Sequence, residues 1–219
     1  MTEVARPVRG QESRIVRNWS DVALVGIGMA VLLLAAAPVD EHTVPGWEEA
    51  VFRALNDYPV VPFLLVWLVM QLGNVLVVPV AALVAAAFRR WRLAAGLLIG
   101  GLAAYYLAKV VKDTVVRGRP DALLDDVVIR GAAAHGRGFV SGHAAVVTLL
   151  AALAWPYLGR RGRILVVATA CVVALARVYV GAHLPLDVLG GVGLGLALAG
   201  VVRLLLGGPF RPAGSPSAG

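Results

Sequence analysis

An all-α membrane protein with six transmembrane helices is what these 219 residues predict, and three observations carry that expectation. Hydrophobic residues make up 59% of the chain and charged residues 15%, with a mean hydropathy of +0.81, too little polar surface for a soluble domain. The charges gather in clusters separated by apolar runs of roughly 17 to 25 residues, the length that crosses a hydrocarbon layer as helix. The clusters are also lopsided in sign, as expected of loops that set orientation.

The first run, Val22–Ala37, follows a polar segment and ends in "LLLAAAP". That ending is reminiscent of a secretory signal. The polar lead is long, however, and Pro38 directly after Ala35–Ala37 disfavours cleavage, so an uncleaved first span is expected. The second run, Val61–Phe88, is long for one crossing and contains Gly73, Asn74 and Pro79. Membrane helices tolerate Gly and Pro, so it reads as one tilted or kinked helix. Four more runs follow: Leu93–Val111, Ser141–Leu158, Ile164–Tyr179 and Leu186–Leu206.

Residues 1–21 then form a cytoplasmic N-terminal segment and 22–206 a single six-span domain without internal repeat. The Gly/Pro/Ser-rich residues 207–219 are expected to form a disordered cytoplasmic tail. Between the first two spans, "VPGWEEAVFRALN" sets Val44, Trp47, Val51, Phe52 and Leu55 at helical spacing opposite a polar face, which predicts a helix lying on the membrane surface. After the third span, "DALLDDVVIRGAAAHGRG" reads as a mobile flap.

Charge orients the six spans. One side holds Arg6, Arg9, Arg14, Arg17, Arg89, Arg90, Arg92, Arg160, Arg161, Arg163, Arg203 and Arg211, which is 12 basic residues against three acids. The other holds 8 basic and 10 acidic residues. Positive charge stays inside, so both termini are expected in the cytoplasm of a multi-pass protein of the cytoplasmic membrane. The sequence pI of 10.3 does not point to nucleic acid, because the cations sit in short loops rather than on one amphipathic face. Lone Cys171, inside an apolar run, allows no disulfide or cysteine-based metal site within one chain.

Three polar motifs fall on the outer side: "KDTVVRGRP" with Lys112 and Arg119, "VSGHAAV" with Ser141, Gly142 and His143, and "ARVYVGAHLPLD" with Arg177, His183 and Asp187. An ionisable residue within a span costs roughly 2.5–3.5 kcal/mol on insertion scales, and three cations also repel one another. An anion neutralises that cost. The arginine fork suits phosphate oxygens, lysine adds a point charge, and "SGH" at a helix start offers free N–H groups and the positive dipole end. Pro185 suits the first position of the last helix, which puts His183 just ahead of it and Asp187 in its first turn. A carboxylate on one ring nitrogen fixes the tautomer and leaves the other nitrogen free as a nucleophile. His143, from another helix, is then placed to protonate a leaving oxygen and later to activate water.

In this order, K-x6-RP, SGH and R-x5-H-x3-D resemble the three signatures of the type 2 phosphatidic acid phosphatase (PAP2) superfamily. The resemblance covers Lys112 to Asp187 directly, and the six-span layout extends it over most of the chain. It implies a PAP2-like helical bundle and a metal-independent membrane lipid phosphatase with a phospho-histidine intermediate. It further implies that Lys112, Arg119, Ser141, Gly142, His143 and Arg177 hold the phosphate and that His183 attacks. Two positions depart from the family's habit: Val140 stands where proline is common, and Ala176 where serine is common. The first loses a preference for starting a helix, the second a hydroxyl near the phosphate, and neither removes a catalytic atom.

The plainer readings are these. Taken alone, Arg177 is a snorkelling residue, Asp187 a helix N-terminal acid and Ser141 an N-cap. His183 and Asp187 are too few for a zinc or calcium site, so no metal and no cofactor is expected. Lys109 is structural or peripheral, His42 and His135 are loop residues, and Arg117 is evenly balanced between substrate contact and none. The expected partners are a lipid phosphate substrate and membrane lipids, with no nucleic acid. Among substrates, polyprenyl (undecaprenyl or decaprenyl) pyrophosphate ranks first, ahead of phosphatidate and phosphatidylglycerol phosphate. Two rivals stand beside the phosphatase: a vanadium-dependent haloperoxidase, disfavoured by the spans and the lack of a large soluble domain, and a non-catalytic lipid-binding or transport protein.

Overall fold

A computed structural model describes residues 18–59 and 61–207. Most of the N-terminal segment and all but the first residue of the expected tail lie outside the described residues. Among those described, the regular structure is all helical. In chain order the helices are α1 (Trp19–Ala36), α2 (Gly46–Asn56), α3 (Phe63–Gln71), α4 (Val77–Ala87), α5 (Trp91–Thr114), α6 (Pro120–Leu123), α7 (Gly142–Ala154), α8 (Arg160–Tyr179) and α9 (Pro185–Leu206). A 3₁₀ turn, Trp155–Tyr157, extends α7. By length and apolar character α1, α5, α8 and α9 can each cross a membrane, and α4 and α7 with its 3₁₀ turn are shorter apolar helices. The chain is a multi-pass membrane protein.

Helix α9 is the axis of the bundle, because its small residues let two neighbours approach at backbone distance. Toward α1, a Cβ added at Gly193 would lie 2.5 Å from the Leu32 nitrogen and 2.7 Å from the Gly28 oxygen. Toward α7, one added at Gly195 would lie 2.5 Å from the Ala145 oxygen. Lipid tails are as apolar as leucine, so close packing of small residues, rather than hydrophobic burial, holds such helices together. Arg203, in the last turn of α9, pairs at 2.7 Å with buried Asp21 in the first turn of α1. Each charge thus sits at the helix end whose dipole favours it.

The second apolar run departs from expectation. It is two helices rather than one kinked helix: α3 stops at Gln71, a turn runs through residues 72–76, and α4 begins at Val77. The break has a local cause in Asn74 and a tertiary one in Gly73. The Asn74 side chain accepts the Leu76 N–H at 3.1 Å and donates to the Gln71 side chain at 3.3 Å. These bonds give the backbone a competing partner just where the helix must continue. Gly73 at the turn lies so close to α7 that a Cβ would meet the His143 carbonyl oxygen at 2.9 Å.

Helix α2 packs against α8 and α9 at the end of the bundle where the three motifs meet. Its buried residues are Glu48, Phe52 and Asn56, whereas Trp47 and Val51 of the expected apolar face are exposed. The segment expected to be a flap is anchored instead. Arg130 donates to the carbonyls of Asn56, Tyr179 and Tyr58 and lies 4.0 Å over the Tyr179 ring. Val128 and the Asn56 side chain exchange two bonds of 2.9 Å. An open apolar cleft of about 980 Å³ runs between α1, α7, α8 and α9, with Val51 and Leu55 of α2 at its margin.

Candidate active site

Local sequence sets each part of the site in place. Lys112 closes α5, and Pro120, tolerated in a first helical turn, opens α6 directly after Arg119. Ser141 is the N-cap residue of α7, with Gly142 and His143 in its first turn. Arg177 lies in the last turn of α8, where its carbonyl accepts the N–H groups of Ala182 (3.1 Å) and His183 (3.2 Å). Gly181 makes that tight reversal possible with a φ of 75°, a conformation that disfavours any side chain. Pro185 then starts α9, and the Asp187 carbonyl accepts the Ser141 N–H at 2.8 Å, tying α7 to α9 at their N-termini.

His183 sits at the centre, 3% exposed. Its Nδ1 is 3.3 Å from Asp187 Oδ2, and its Nε2 is 3.2 Å from Arg119 Nη1. A carboxylate can only accept and a guanidinium can only donate. The two partners therefore assign the same tautomer, with the proton on Nδ1 and a lone pair on Nε2. Burial, followed by the nearby charges of Arg119, Arg177 and Lys112, holds His183 well below the ordinary histidine value of 6.5. The bond from the Ser141 N–H to the Asp187 carbonyl brings His143, two residues further along α7, to the same end of the bundle.

The cations are held by carbonyls. Arg119 also donates to the carbonyls of Ala182 (2.6 Å), Gly136 (3.2 Å) and His135 (3.2 Å). Lys112 Nζ donates to those of Gly138 (2.8 Å) and Arg137 (3.0 Å). Arg177 Nη1 lies 3.4 Å from the Met70 sulfur, while its Nε and the Ser141 hydroxyl are buried without a hydrogen-bond partner. Buried polar groups are rarely left so, and an oxyanion would satisfy both. Gly138 must be glycine: a Cβ there would lie 2.9 Å from Asp187 Oδ2 and 2.7 Å from the Gly118 oxygen.

All eight residues singled out for chemistry thus belong to one end of the bundle. Lys109 points its ammonium at the Tyr105 ring, 4.3 Å away, apart from them. His42 and His135 are exposed loop residues, although the His135 carbonyl helps to hold Arg119. Ala176 packs in an apolar cluster with Val66, Met70, Tyr179, Val180 and Ala182, and Val140 is fully buried in the main core.

The sequence reading missed Glu48 and undervalued Arg117. Both are fully buried and joined by two hydrogen bonds, Nη1 to Oε1 at 3.0 Å and Nη2 to Oε2 at 2.5 Å. Arg117 Nη1 also donates to Asp187 Oδ1 at 3.2 Å, and Glu48 Oε1 accepts the Leu186 N–H at 2.9 Å. The available signal was an acid four residues before Phe52, on the buried stripe of an amphipathic helix.

The fold and this cluster define a membrane-embedded phosphatase whose cations, histidines and carboxylate meet at one end of a helical bundle. A model of the PAP2 superfamily matches residues 91–208, and the chain belongs to that superfamily. Two crystal structures share its fold. That of LpxE from Aquifex aeolicus is 23% identical at a TM-score of 0.63, over 74% of this chain and 96% of the other. That of the first transmembrane PAP2-type phosphatidylglycerolphosphate phosphatase from Bacillus subtilis is 24% identical at a TM-score of 0.67, over 85% of this chain and 95% of the other. No curated protein matches the sequence.

Proposed function

We propose that this chain is a lipid phosphatase of the cytoplasmic membrane that hydrolyses a phosphate or pyrophosphate head group at the outer face through a phospho-histidine. One observation carries the reading: His183 is held between Asp187 on Nδ1 and Arg119 on Nε2, inside a group of cations. In the first step the Nε2 lone pair attacks phosphorus while the bond from phosphorus to the leaving oxygen breaks. His143, which carries a proton once the anionic head group offsets the surrounding cations, gives it to that oxygen. Arg119 turns from Nε2 to a phosphate oxygen, joined by Lys112, Arg177, the Ser141 hydroxyl and the free N–H groups at the start of α7. In the second step His143 takes a proton from water as the water attacks phosphorus, the P–N bond breaks, and inorganic phosphate leaves. Every charge change is met by a group already present, so no metal or cofactor is required.

The bundle acts as one domain of six crossings, with α3 and α4 together making the second and α7 the fourth. Both termini lie in the cytoplasm. With no soluble domain in the described chain to capture a water-soluble ligand, a head group at the membrane surface is the natural substrate. Polyprenyl pyrophosphate is our first choice, because a diphosphate offers more anionic oxygens to Lys112, Arg119 and Arg177 than a monoester. Phosphatidylglycerol phosphate is the second, favoured by the fold shared with the Bacillus subtilis phosphatase.

The test is phosphate release by purified protein from polyprenyl pyrophosphate, phosphatidylglycerol phosphate and phosphatidate, in EDTA, with His183→Ala alongside. Release by wild type from one lipid, at least about 10³-fold above the variant, is expected for loss of a nucleophile. Equal binding of these lipids without release would make the chain a non-catalytic lipid-binding or transport protein.

A further inference from the structure

The reacting histidine stands at the end of a buried chain of charges that begins outside the three motifs. Glu48, on α2, grips Arg117 through both carboxylate oxygens. Arg117 in turn grips Asp187 Oδ1, and Asp187 presents Oδ2 to His183 Nδ1. Glu48, Arg117 and Asp187 are all 0% exposed. We propose that Glu48 and Arg117 are positioning residues for the phosphatase reaction, acting on His183 through Asp187. The proposal rests on the phosphatase reading above.

Stability alone does not account for the arrangement. Removing a charge from water costs several kcal/mol per ion even after relaxation, and buried ion pairs are often matched by apolar side chains of similar size. Here a guanidinium, a backbone N–H and an imidazole converge on one carboxylate, with defined geometry at both of its oxygens. Arg117 holds Oδ1, while Oδ2 accepts the Leu184 N–H at 3.0 Å and faces the imidazole. Asp187 is thereby fixed in two directions, and the ring it orients is fixed with it.

Charge supplies the second half of the argument. Two carboxylates and one guanidinium leave the triad net negative beside a ring that becomes cationic as Nε2 bonds to phosphorus. Around that ring Arg119, Arg177 and Lys112 oppose a positive charge. The phosphoryl oxygens offset part of their repulsion in the transition state, a negative charge behind Nδ1 offsets more of it, and Glu48 keeps that charge there by neutralising Arg117. Glu48 also accepts the Leu186 N–H, so it sets the start of α9, the helix that carries Asp187.

The experiment is steady-state phosphate release from whichever lipid wild type hydrolyses fastest, with thermal unfolding in the same detergent. The variants are Glu48→Gln, Glu48→Asp, Arg117→Lys and Asp187→Asn, together with Glu48→Gln in the Asp187→Asn background. Glu48→Gln keeps the shape and an acceptor but loses the charge. Its kcat is expected to fall about 10- to 100-fold, the usual cost of losing an outer partner of a reacting group, with KM within about twofold. Glu48→Asp should recover part of the loss, and in the Asp187→Asn background the Glu48 change should add little, because it acts through that carboxylate. Unchanged kcat in Glu48→Gln, or losses that add fully to Asp187→Asn or follow the fall in unfolding temperature, would overturn the proposal. Should Glu48→Gln not fold, Arg117→Lys, which retains the charge but not the fork, decides on the same criteria. A wild type that hydrolyses none of the lipids defeats the phosphatase reading instead, and separately.

Discussion

His183 has one ring nitrogen against a carboxylate and the other against a guanidinium. The carboxylate fixes a proton on Nδ1 and the guanidinium leaves Nε2 unprotonated, while burial among Arg119, Arg177 and Lys112 penalises a second proton. A histidine with a depressed folded value stays neutral above that value, so near pH 6.5, where a free histidine is half charged, His183 should remain uncharged. Histidine NMR of the detergent-solubilised protein, with the signal assigned through His183→Ala, should show no titration there. Orthovanadate in the site should bring the midpoint back up, because an anion offsets the cations. A signal titrating at 6.5 without ligand would mean that the ring is not enclosed as described. At the same scale, Ala176 packs its side chain among apolar residues.

Helix α9 presents two small-residue faces: Gly193 and Ala197 meet α1, and Gly191 and Gly195 meet α7. Through the second face α9 holds Asp187 in register with Ser141, since a Cβ at Gly191 would run into the Ser141 carbonyl oxygen. Overpacking at such a contact typically costs about 1–3 kcal/mol. Gly193→Val, whose added carbon meets backbone atoms of α1, is therefore expected to lower the thermal stability in detergent by at least that amount. Gly26→Val, where nothing lies within 4 Å of the added carbon, should leave it nearly unchanged. Equal effects at the two sites would mean that helix propensity rather than packing is being measured. The break between α3 and α4 belongs to this scale as well. Gly73, Asn74 and Pro79 were visible as interruptions, but whether they bend a helix or end it depends on Gly73 fitting against His143 and Val173.

Across the whole molecule, the proposed orientation places the motif end outside and the arginine-rich loops inside. Single cysteines at Trp47 and Arg161, both exposed, in a Cys171→Ser background test it. In intact cells a membrane-impermeant maleimide should label position 47 directly and position 161 only after permeabilisation. The reverse pattern would put the termini outside and the site in the cytoplasm. The same large-scale view explains why α2 matters. It is neither a linker nor a surface helix alone, because Glu48 reaches under α9 while Trp47 and Val51 stay exposed. The segment after α5 is likewise no free flap, because its polar groups find partners on α2 and at the end of α8.

The residue order by itself determined the membrane setting, the apolar runs, the charge asymmetry and the three motifs. Those properties follow from hydropathy and from chemistry at short spacing, which a linear chain displays openly. Lys112, Arg119, Ser141, His143, Arg177, His183 and Asp187 were legible because each lies in a short polar group that interrupts apolar sequence. Only the tertiary structure decided that Glu48 lies beside them, that Arg117 binds two carboxylates, and that the second run is broken. It also decided which glycines face which helices. Contacts between residues some seventy positions apart leave no periodic trace in either segment. A buried acid on an amphipathic helix becomes informative only once its arginine is seen beside it.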